Sequence, residues 1–203
     1  MITVLDYGIG NLGSVLNMVK KAGGVAFKGS TRNHVEAAEK LIITGVGTFD
    51  AGMNALHERN LVETIKKAIE DRKIPVLGIC LGMQLLCKSS DEGVTPGLGV
   101  VNASVKKFSM DSYLNLKVPH MGWNTVAVRK TNLLIEKLDS EQRFYFIHSY
   151  FVECNDPDDI LLSTKYGQEF TSAFCHGSTY GVQFHPEKSH RFGLELMKNF
   201  LRI

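Results

Sequence analysis

Short apolar runs alternate with helical periodicity through the first half of the chain. The run Ile2–Leu5 predicts a buried strand, and the apolar residues after Asn11 repeat at the i, i+3, i+4, i+7 spacing of one helix face, with Asn11 as the N-cap. Strands are also predicted for three further apolar runs, at 25–28, 41–44 and 76–79. A second helical pattern covers 61–69, just before the last of these strands. This alternation predicts βαβ units and a largely parallel sheet.

The pattern changes beyond Gly93. Apolar runs become short and rich in β-branched and aromatic residues, which predicts an antiparallel excursion that returns to the main sheet. These runs are 99–106, 123–128, 143–152, 171–174 and 180–184, and a final amphipathic helix carries Phe192, Leu196, Met197 and Phe200. No repeat, low-complexity tract or linker divides the chain. We therefore expect one α/β domain over residues 1–203, an open and mostly parallel mixed sheet with helices on both faces.

The composition indicates a globular protein but does not indicate its function. The 203 residues are 44% apolar and 22% charged, as in an ordinary globular protein. The 23 basic and 21 acidic residues are spread along the chain, so the net charge of +2 indicates neither a nucleic acid nor a membrane partner. The N-terminus lacks the features of a signal peptide, and the uncharged stretch 74–87 is shorter than the ~20 residues that span a bilayer. The four cysteines lack C-x-x-C spacing, so we expect a reduced, soluble, cytoplasmic protein without a zinc ribbon.

Cys80 lies where a strand-like run meets a helix-like run, between Gly78 and Gly82. This G-x-C-x-G pattern is the cysteine counterpart of the nucleophile elbow, in which small neighbours allow a strained turn to lift the reactive side chain above the sheet edge. A helix N-terminus favours the thiolate, and the amide of Leu81 faces the place where an oxyanion would form. The alternative is that Cys80 is a small buried hydrophobe, as most free cysteines are. The pattern alone leaves both open.

A base and its orienting group are predicted in the segment that ends at Glu187. A strand of alternating polarity ends at His185, and Pro186 then bends the chain out of the sheet. After that bend the Glu187 carboxylate can turn back to the imidazole, fix its tautomer and support the imidazolium that forms when Cys80 is deprotonated. A histidine at a strand end is by itself more often structural. Together with a cysteine elbow, it favours a triad of Cys80, His185 and Glu187.

A glycine-flanked loop follows the strand predicted at 41–44. Its backbone N–H groups can point toward an oxyanion, with Val46 as the second donor beside Leu81. Considered alone, this segment is better explained as a plain strand-to-helix turn.

Taken together, these segments resemble the triad (class I) glutamine amidotransferases, and most closely the glutaminase subunits of imidazole glycerol phosphate synthase. The similarity runs nearly end to end, through Asp6-Tyr-Gly-Ile-Gly-Asn11, Gly45-Val-Gly-Thr-Phe-Asp50, Gly78-Ile-Cys-Leu-Gly-Met-Gln84, Pro119-His-Met-Gly-Trp-Asn124, Tyr145-Phe-Ile-His-Ser-Tyr150 and Gln183-Phe-His-Pro-Glu-Lys188. The elbow and His-Pro-Glu segments are shared by the whole class. The His-Met-Gly-Trp-Asn segment is narrower and points to subunits that dock on a (β/α)₈-barrel partner.

The resemblance implies a flavodoxin-like fold and a complete reaction. The Cys80 thiolate attacks the side-chain amide of glutamine, and His185 protonates the leaving ammonia and then activates the water that hydrolyses the thioester. Ammonia passes to a barrel synthase or cyclase within a heterodimer, in histidine biosynthesis. No metal or cofactor is expected.

The resemblance also implies binding roles. It assigns glutamine binding to Gly47, Gln84, Glu92, Ser149 and Tyr150, and partner contact to Asn11, Met121, Gly122 and Trp123. A zwitterionic substrate needs one anionic partner and several donors, which suits Glu92 opposite the α-amino group. A solvated acid in a Ser-Ser-Asp-Glu-Gly turn is the competing interpretation of Glu92.

Three alternatives stay open. Thr44 stands where the family usually has proline, so the strand before the oxyanion loop lacks the stiffness that proline would give it. Thr44 and the residues 189–191 also suit a paralogous subunit, one that supplies ammonia to a sugar-amidating enzyme of surface polysaccharide synthesis. Gly8-Ile-Gly-Asn-Leu-Gly13 matches a dinucleotide fingerprint, but the next strand offers no acidic residue for a ribose, which disfavours a nicotinamide-dependent oxidoreductase. The third alternative, a non-enzymatic binding module, is disfavoured by the intact triad residues.

Overall fold

The computed structural model describes residues 1–108, 116–138 and 142–203. Its first half alternates strands with helices, as the apolar pattern predicts. The elements are β1 (Ile2–Leu5), α1 (Leu12–Lys21), β2 (Ala26–Gly29), α2 (Arg32–Glu36), β3 (Lys40–Gly45), α3 (Phe49–Glu58), α4 (Val62–Glu70), β4 (Val76–Cys80) and α5 (Leu81–Leu85).

The second half consists mainly of strands. They are β5 (Ser89–Ser90), β6 (Ala103–Lys107), β7 (His120–Thr125), β8 (Ala127–Val128), β9 (Arg143–His148), β10 (Tyr150–Cys154), β11 (Ile160–Tyr166), β12 (Gln168–His176) and β13 (Thr179–Val182). A helix, α6 (His190–Arg202), closes the chain, and short 3₁₀ turns cover Leu133–Ile135, Pro157–Asp159 and Pro186–Lys188. Within the described ranges, no helix combines the length and apolar character needed to cross a bilayer.

The main sheet is built around five parallel strands. Their order is β2-β1-β3-β4-β13, which is the flavodoxin-like order. Antiparallel strands extend the sheet beyond β13 through β12, β10 and β6. The mostly parallel mixed α/β sheet is therefore confirmed, and β12, β10 and β6 of the antiparallel excursion continue the same sheet. The carboxyl ends of β3, β4 and β13 meet at one edge.

Apolar helices cover both faces of this sheet. On one face α1 and α6 contribute Val19 and Phe200 to a core that includes Ile42. On the other, α2 to α5 contribute a second core that includes Leu56 and the next strand residue, Ile43. Full burial of such a side chain stabilises the fold by about 1.5–3 kcal/mol. Because β3 is buried on both faces, its register beside β4 is strongly specified.

The apolar run predicted at 143–152 is two strands that belong to two sheets, which corrects the sequence interpretation. β9 ends at His148 and pairs with β7 in a two-stranded sheet, whereas β10 begins at Tyr150 and joins the main sheet. Ser149 is the break between them. Apolar and aromatic residues run through both parts, so the residue pattern alone did not reveal the change of sheet.

Candidate active site

Cys80 occupies a strained turn at the carboxyl end of β4. Its φ of 54° and ψ of −110° place a non-glycine residue in a sparsely populated region. The flanking glycines are explained by close backbone approach: a Cβ on Gly82 would lie 1.8 Å from the carbonyl oxygen of Ile43, and one on Gly78 would lie 2.7 Å from the carbonyl oxygen of Gly82. The predicted elbow geometry is therefore present. A cysteine that only filled space would not require this backbone strain.

His185 and Glu187 are joined by a short hydrogen bond. His185 Nδ1 donates to Glu187 Oε1 at 2.7 Å, and the two side chains are only 3% and 5% exposed. The 3₁₀ turn Pro186–Lys188 turns the carboxylate back, as Pro186 in the sequence suggests. This bond fixes the hydrogen on Nδ1 and leaves Nε2 free to exchange a proton with another group.

The backbone around His185 is held from both sides. The N–H of His185 donates to the carbonyl of Tyr145 at 2.9 Å. The Ser189 hydroxyl donates to the carbonyl of His185 at 2.6 Å and accepts from the N–H of Tyr145 at 3.0 Å. The imidazole is thereby positioned by β9 as well as by its own turn.

The imidazole of His185 favours its protonated form. Burial alone would lower its pKa, but the neighbouring Cys80 sulfur and the Glu187 carboxylate outweigh burial and raise the pKa to about 9. Nε2 is buried and completes no hydrogen bond within the described residues. A protonated imidazole beside the Cys80 sulfur can supply the proton that a leaving group needs when a cysteine acts as the nucleophile.

Two groups besides His185 approach the Cys80 sulfur. The side-chain amide of Gln183 lies with Nε2 3.8 Å from Sγ, and the carbonyl oxygen of Ile147 lies 4.0 Å from it. The sequence places Gln183 in a segment typical of the family but predicts no role for it. Its sequence signal is its position two residues before His185, on the same side of an extended segment.

A cleft of about 370 Å³ opens at this edge of the sheet. Cys80 and His185 line it with the two predicted oxyanion donors, Val46 and Leu81. All of the predicted glutamine-binding residues line it as well: Gly47, Gln84, Glu92, Ser149 and Tyr150. Sequence reasoning did not assign four further lining residues: Pro119, Ile147, His148 and Lys188. Among the described residues, no group of three or more His, Cys, Asp or Glu side chains could hold a metal ion.

Gln84 and Glu92 are both oriented by hydrogen bonds. The Gln84 amide nitrogen donates to the carbonyl of Tyr150 and to Gln183 Oε1, each at 3.1 Å, so the group left to face a ligand is its carbonyl oxygen. Glu92 Oε2 accepts from the N–H of Phe49 at 2.8 Å, which ties this carboxylate to the start of α3. Glu92 is therefore an ordered acceptor at the cleft, and the solvated-acid interpretation is disfavoured.

The loop from Gly45 to Gly47 is paired to β4 at Gly45, whereas Val46 in its middle is exposed. Gly45 is still in register with Cys80, so β3 is paired to its end although Thr44 replaces the usual proline. Val46 is 53% exposed, and its N–H donates no hydrogen bond within the described residues. Gly47 adopts a φ of 120° with open space at its Cβ position. The N–H of Leu81 opens α5, which has only five residues, so the predicted helix-dipole effect is small.

A family model described as "Glutamine amidotransferase class-I" matches residues 3–203. The chain belongs to this family. A protein named imidazole glycerol phosphate synthase subunit HisH 2, from Pseudomonas aeruginosa, is 47% identical over 203 residues and both chains are fully covered. Another HisH 2, from Methanococcus maripaludis, is 48% identical over 202 residues, which is 100% of this chain and 99% of that one.

Solved structures share the fold of this amidotransferase. A glutamine amidotransferase from Thermotoga maritima superposes with a TM-score of 0.66 at 20% identity, covering 99% of this chain and 80% of that one. PurLQS, also from Thermotoga maritima, superposes with a TM-score of 0.73 at 15% identity, covering 99% and 97%. These likenesses agree with the α/β fold. The family match makes this chain a glutamine amidotransferase and disfavours the oxidoreductase and non-enzymatic alternatives.

Two buried histidines connect β7 with the cleft of the amidotransferase. His148 Nδ1 lies 2.7 Å from the carbonyl oxygen of Tyr150 and therefore donates to it. His148 Nε2 is then an acceptor for His120 Nδ1 at 3.0 Å, and His120 Nε2 accepts from the Asn124 amide at 3.2 Å. Burial lowers the pKa of His120 to about 4 and that of His148 to about 3, so both rings are neutral near pH 7. The direction of every bond in this chain is thereby fixed.

Met121 and Trp123 project from the outer face of β7. They are 59% and 43% exposed, in alternation with buried His120. The Trp123 ring stacks on His190 with a centroid distance of 5.5 Å and lies 6.0 Å from the Arg143 guanidinium. This tryptophan is packed against its neighbours yet exposed, which suits a binding surface.

Gly122 and Asn11 are the other two residues predicted to contact the partner. Gly122 lies on β7 between Met121 and Trp123. Asn11 is exposed, and its side chain caps α1 by accepting from the N–H of Ser14 at 3.4 Å. The cap explains Asn11 structurally, so its place at an interface stays a prediction.

Proposed function

We propose that this amidotransferase is the glutaminase subunit of an imidazole glycerol phosphate synthase, and that it passes ammonia to a (β/α)₈-barrel partner in histidine biosynthesis. The glutaminase part of this proposal rests on one observation: the strained Cys80 turn lines the same cleft as His185, whose imidazole is held by buried Glu187. The choice of synthase is supported by relatives of that name that are 47% and 48% identical over the whole chain.

The reaction follows from the positions of the groups. The Cys80 thiolate attacks the amide carbon of glutamine, and the oxyanion that forms is stabilised by the N–H groups of Val46 and Leu81. The imidazolium of His185 gives its Nε2 proton to the nitrogen as the C–N bond breaks, which releases ammonia and leaves a thioester on Cys80. His185, now neutral, takes a proton from water, and hydroxide hydrolyses the thioester to glutamate. Glu187 supports the imidazolium in both halves.

Substrate binding is assigned to the other groups in the cleft. The outward carbonyl oxygen of Gln84 and the carboxylate of Glu92 are acceptors suited to the α-ammonium group of glutamine. The backbone at Ser149 and Tyr150, together with Gly47, faces the α-carboxylate. The change of sheet at Ser149 matters here because it brings backbone groups to the cleft that a continuous strand would use for pairing.

Co-expression with candidate barrel partners tests the choice of synthase. With the barrel subunit of imidazole glycerol phosphate synthase, we expect glutamine-dependent turnover of that enzyme's precursor, and with a sugar-amidating partner we expect none. Each partner is also supplied with free ammonium, which shows that the barrel itself is active. Turnover only with the sugar-amidating partner would move the chain to that paralogous branch and leave the glutaminase assignment intact.

The isolated chain is expected to hydrolyse glutamine slowly and to be activated by its partner, most strongly when the partner holds its own substrate. The Val46 peptide lies between two glycines and its N–H makes no hydrogen bond in the described residues, so it can rotate away from the cleft at little cost. Absence of one oxyanion donor lowers turnover by roughly 10²–10³-fold. Steady-state glutaminase rates are measured for the chain alone, with partner, and with partner plus acceptor substrate.

Trp123→Ala tests whether the partner activates the chain through the surface around Trp123. It should weaken the stimulation or the association while changing the basal rate little, because Trp123 lies on the outer face of β7. Leu133→Ala, which removes a 57% exposed side chain from a different element, serves as the control. Equal rates under all three conditions in the wild type would contradict activation by the partner. A uniform loss of basal rate in Trp123→Ala would mean that the residue is structural.

A further inference from the structure

Gln183 is a fully buried amide placed against the nucleophile. Its side chain is 0% exposed and lies just beyond the end of β13, two residues before His185. Phe184, between them, faces the other side and stacks on Phe144 at 3.9 Å. Gln183 and His185 thus approach Cys80 from the same segment.

The orientation of this amide is determined by its neighbours. The Gln84 amide nitrogen donates to Gln183 Oε1 at 3.1 Å, so Gln183 must direct its oxygen to Gln84 and its nitrogen to Cys80 Sγ, 3.8 Å away. The other hydrogen of Gln84 is used by the carbonyl of Tyr150, which also accepts from His148. The rotamer of Gln183 is therefore fixed as a donor toward the sulfur.

We propose that Gln183 is a positioning residue for glutamine hydrolysis, whose side-chain N–H donates a hydrogen bond to the Cys80 sulfur, stabilises the thiolate and holds it opposite the substrate carbonyl. This inference rests on the proposed role of Cys80 as nucleophile. A neutral thiol is a weak acceptor, whereas an anionic sulfur is a strong one, so the bond gains strength when the thiolate forms. Gln183 and His185 then flank the anion with one neutral donor and one cation.

A packing role alone would not require this residue. A buried amide costs free energy unless its polar atoms are paired, and an apolar side chain of similar shape fills the same space without that cost. The arrangement also fixes Gln84, whose carbonyl oxygen faces the cleft. One side chain thus aligns the nucleophile with the substrate-binding amide.

Two substitutions separate these effects. Gln183→Met removes both the acceptor for Gln84 and the donor to sulfur without adding charge, whereas Gln183→Glu keeps the acceptor for Gln84 and replaces the donor by a carboxylate that repels the thiolate. We expect the rate of Cys80 alkylation by iodoacetamide near pH 7 to fall by roughly 10- to 100-fold in Gln183→Met, the range of a hydrogen bond to a charged group, and by at least as much in Gln183→Glu. The pH at which alkylation becomes fast should move upward, and kcat should fall by a similar factor. In Gln183→Glu the KM for glutamine should change less than kcat.

The control is Ser172→Ala on the neighbouring strand. Ser172 is 0% exposed, its hydroxyl has no partner within the described residues, and its carbonyl accepts the backbone N–H of Gln183. It therefore reports the cost of removing a buried polar group beside Gln183 without touching the sulfur. Wild-type alkylation profiles and kcat in both folded Gln183 variants would overturn the inference, and the glutaminase assignment would stand if Cys80→Ala were inactive.

A measurement on the unaltered amide covers the case in which the variants do not fold. In ¹⁵N-glutamine-labelled protein, one buried side-chain NH₂ resonance should shift on going from wild type to Cys80→Ala and during titration of the thiol. Absence of any such shift would overturn the contact between Gln183 and sulfur.

Discussion

Replacement of Cys80 by alanine is expected to abolish glutamine hydrolysis, by roughly 10⁶-fold as for loss of the nucleophile in other triad enzymes. No other described cysteine lines the cleft. Synthesis by the assembled complex should stay near the wild-type rate when ammonium salts replace glutamine, because the partner's chemistry does not use Cys80. Glutamate release and ammonia-dependent product formation are measured on the same preparation.

Cys87→Ala is the matched control for this substitution. Cys87 is fully buried just beyond α5, burial raises its pKa, and its thiol donates to the carbonyl of Met83 at 3.7 Å. It should keep near-wild-type glutaminase activity. Two results would contradict the assignment of Cys80 as nucleophile. One is glutaminase activity near wild type in Cys80→Ala, and the other is loss of glutamine-dependent and ammonia-dependent synthesis together.

Local parts of the site were predictable from the sequence. The elbow depends on Gly78 and Gly82, whose close approach to neighbouring backbone leaves no room for a Cβ. The His185–Glu187 contact depends on Pro186, which begins a short turn between them. Both features are written in the sequence within five consecutive residues, so spacing and residue type were enough to predict them.

Contacts between distant segments were not predictable in the same way. Gln183 and Cys80 are 103 residues apart, and they meet only because β13 inserts beside β4. The donation from Phe49 to Glu92 spans 43 residues, and that between His120 and His148 spans 28. A single sequence carries no measure of such pairings, and the family segments did not indicate which side chains of each segment turn inward.

Three elements, α2, α3 and β11, were not predicted from the sequence, each for a different reason. α3 carries a full helical pattern at Phe49, Gly52, Met53 and Leu56, but its first residues fall in the family segment 45–50 that was interpreted as a loop. α2 has five residues, which is too short for periodicity to distinguish it from a turn. β11 pairs with β12 through an irregular register, so its alternation is broken near Leu162.

Replacement of His185 by alanine is expected to lower kcat/KM for glutamine by roughly 10⁴–10⁶-fold, because the base and the proton donor are lost together. Glu187→Gln should cost less, since the imidazole remains and only its orientation and charge support are weakened. Glu195→Gln, which removes a partly buried carboxylate paired with Lys198 on α6, is the control and should be near wild type. Steady-state glutaminase assays of the partner-bound enzyme measure all three.

The pH dependence of these variants tests the role of the ion pair directly. Burial opposes the imidazolium of His185, but Cys80 and Glu187 together raise its pKa to about 9. Below that pH the imidazolium can protonate the leaving ammonia, and above it the proton is lost, so kcat/KM should fall as the pH rises through about 9. Glu187→Gln removes one of the groups that raise this pKa, so the alkaline limb of its profile should move to lower pH. An alkaline limb at the same pH in wild type and Glu187→Gln, or an unchanged rate in that variant, would leave Glu187 without the third role in the triad.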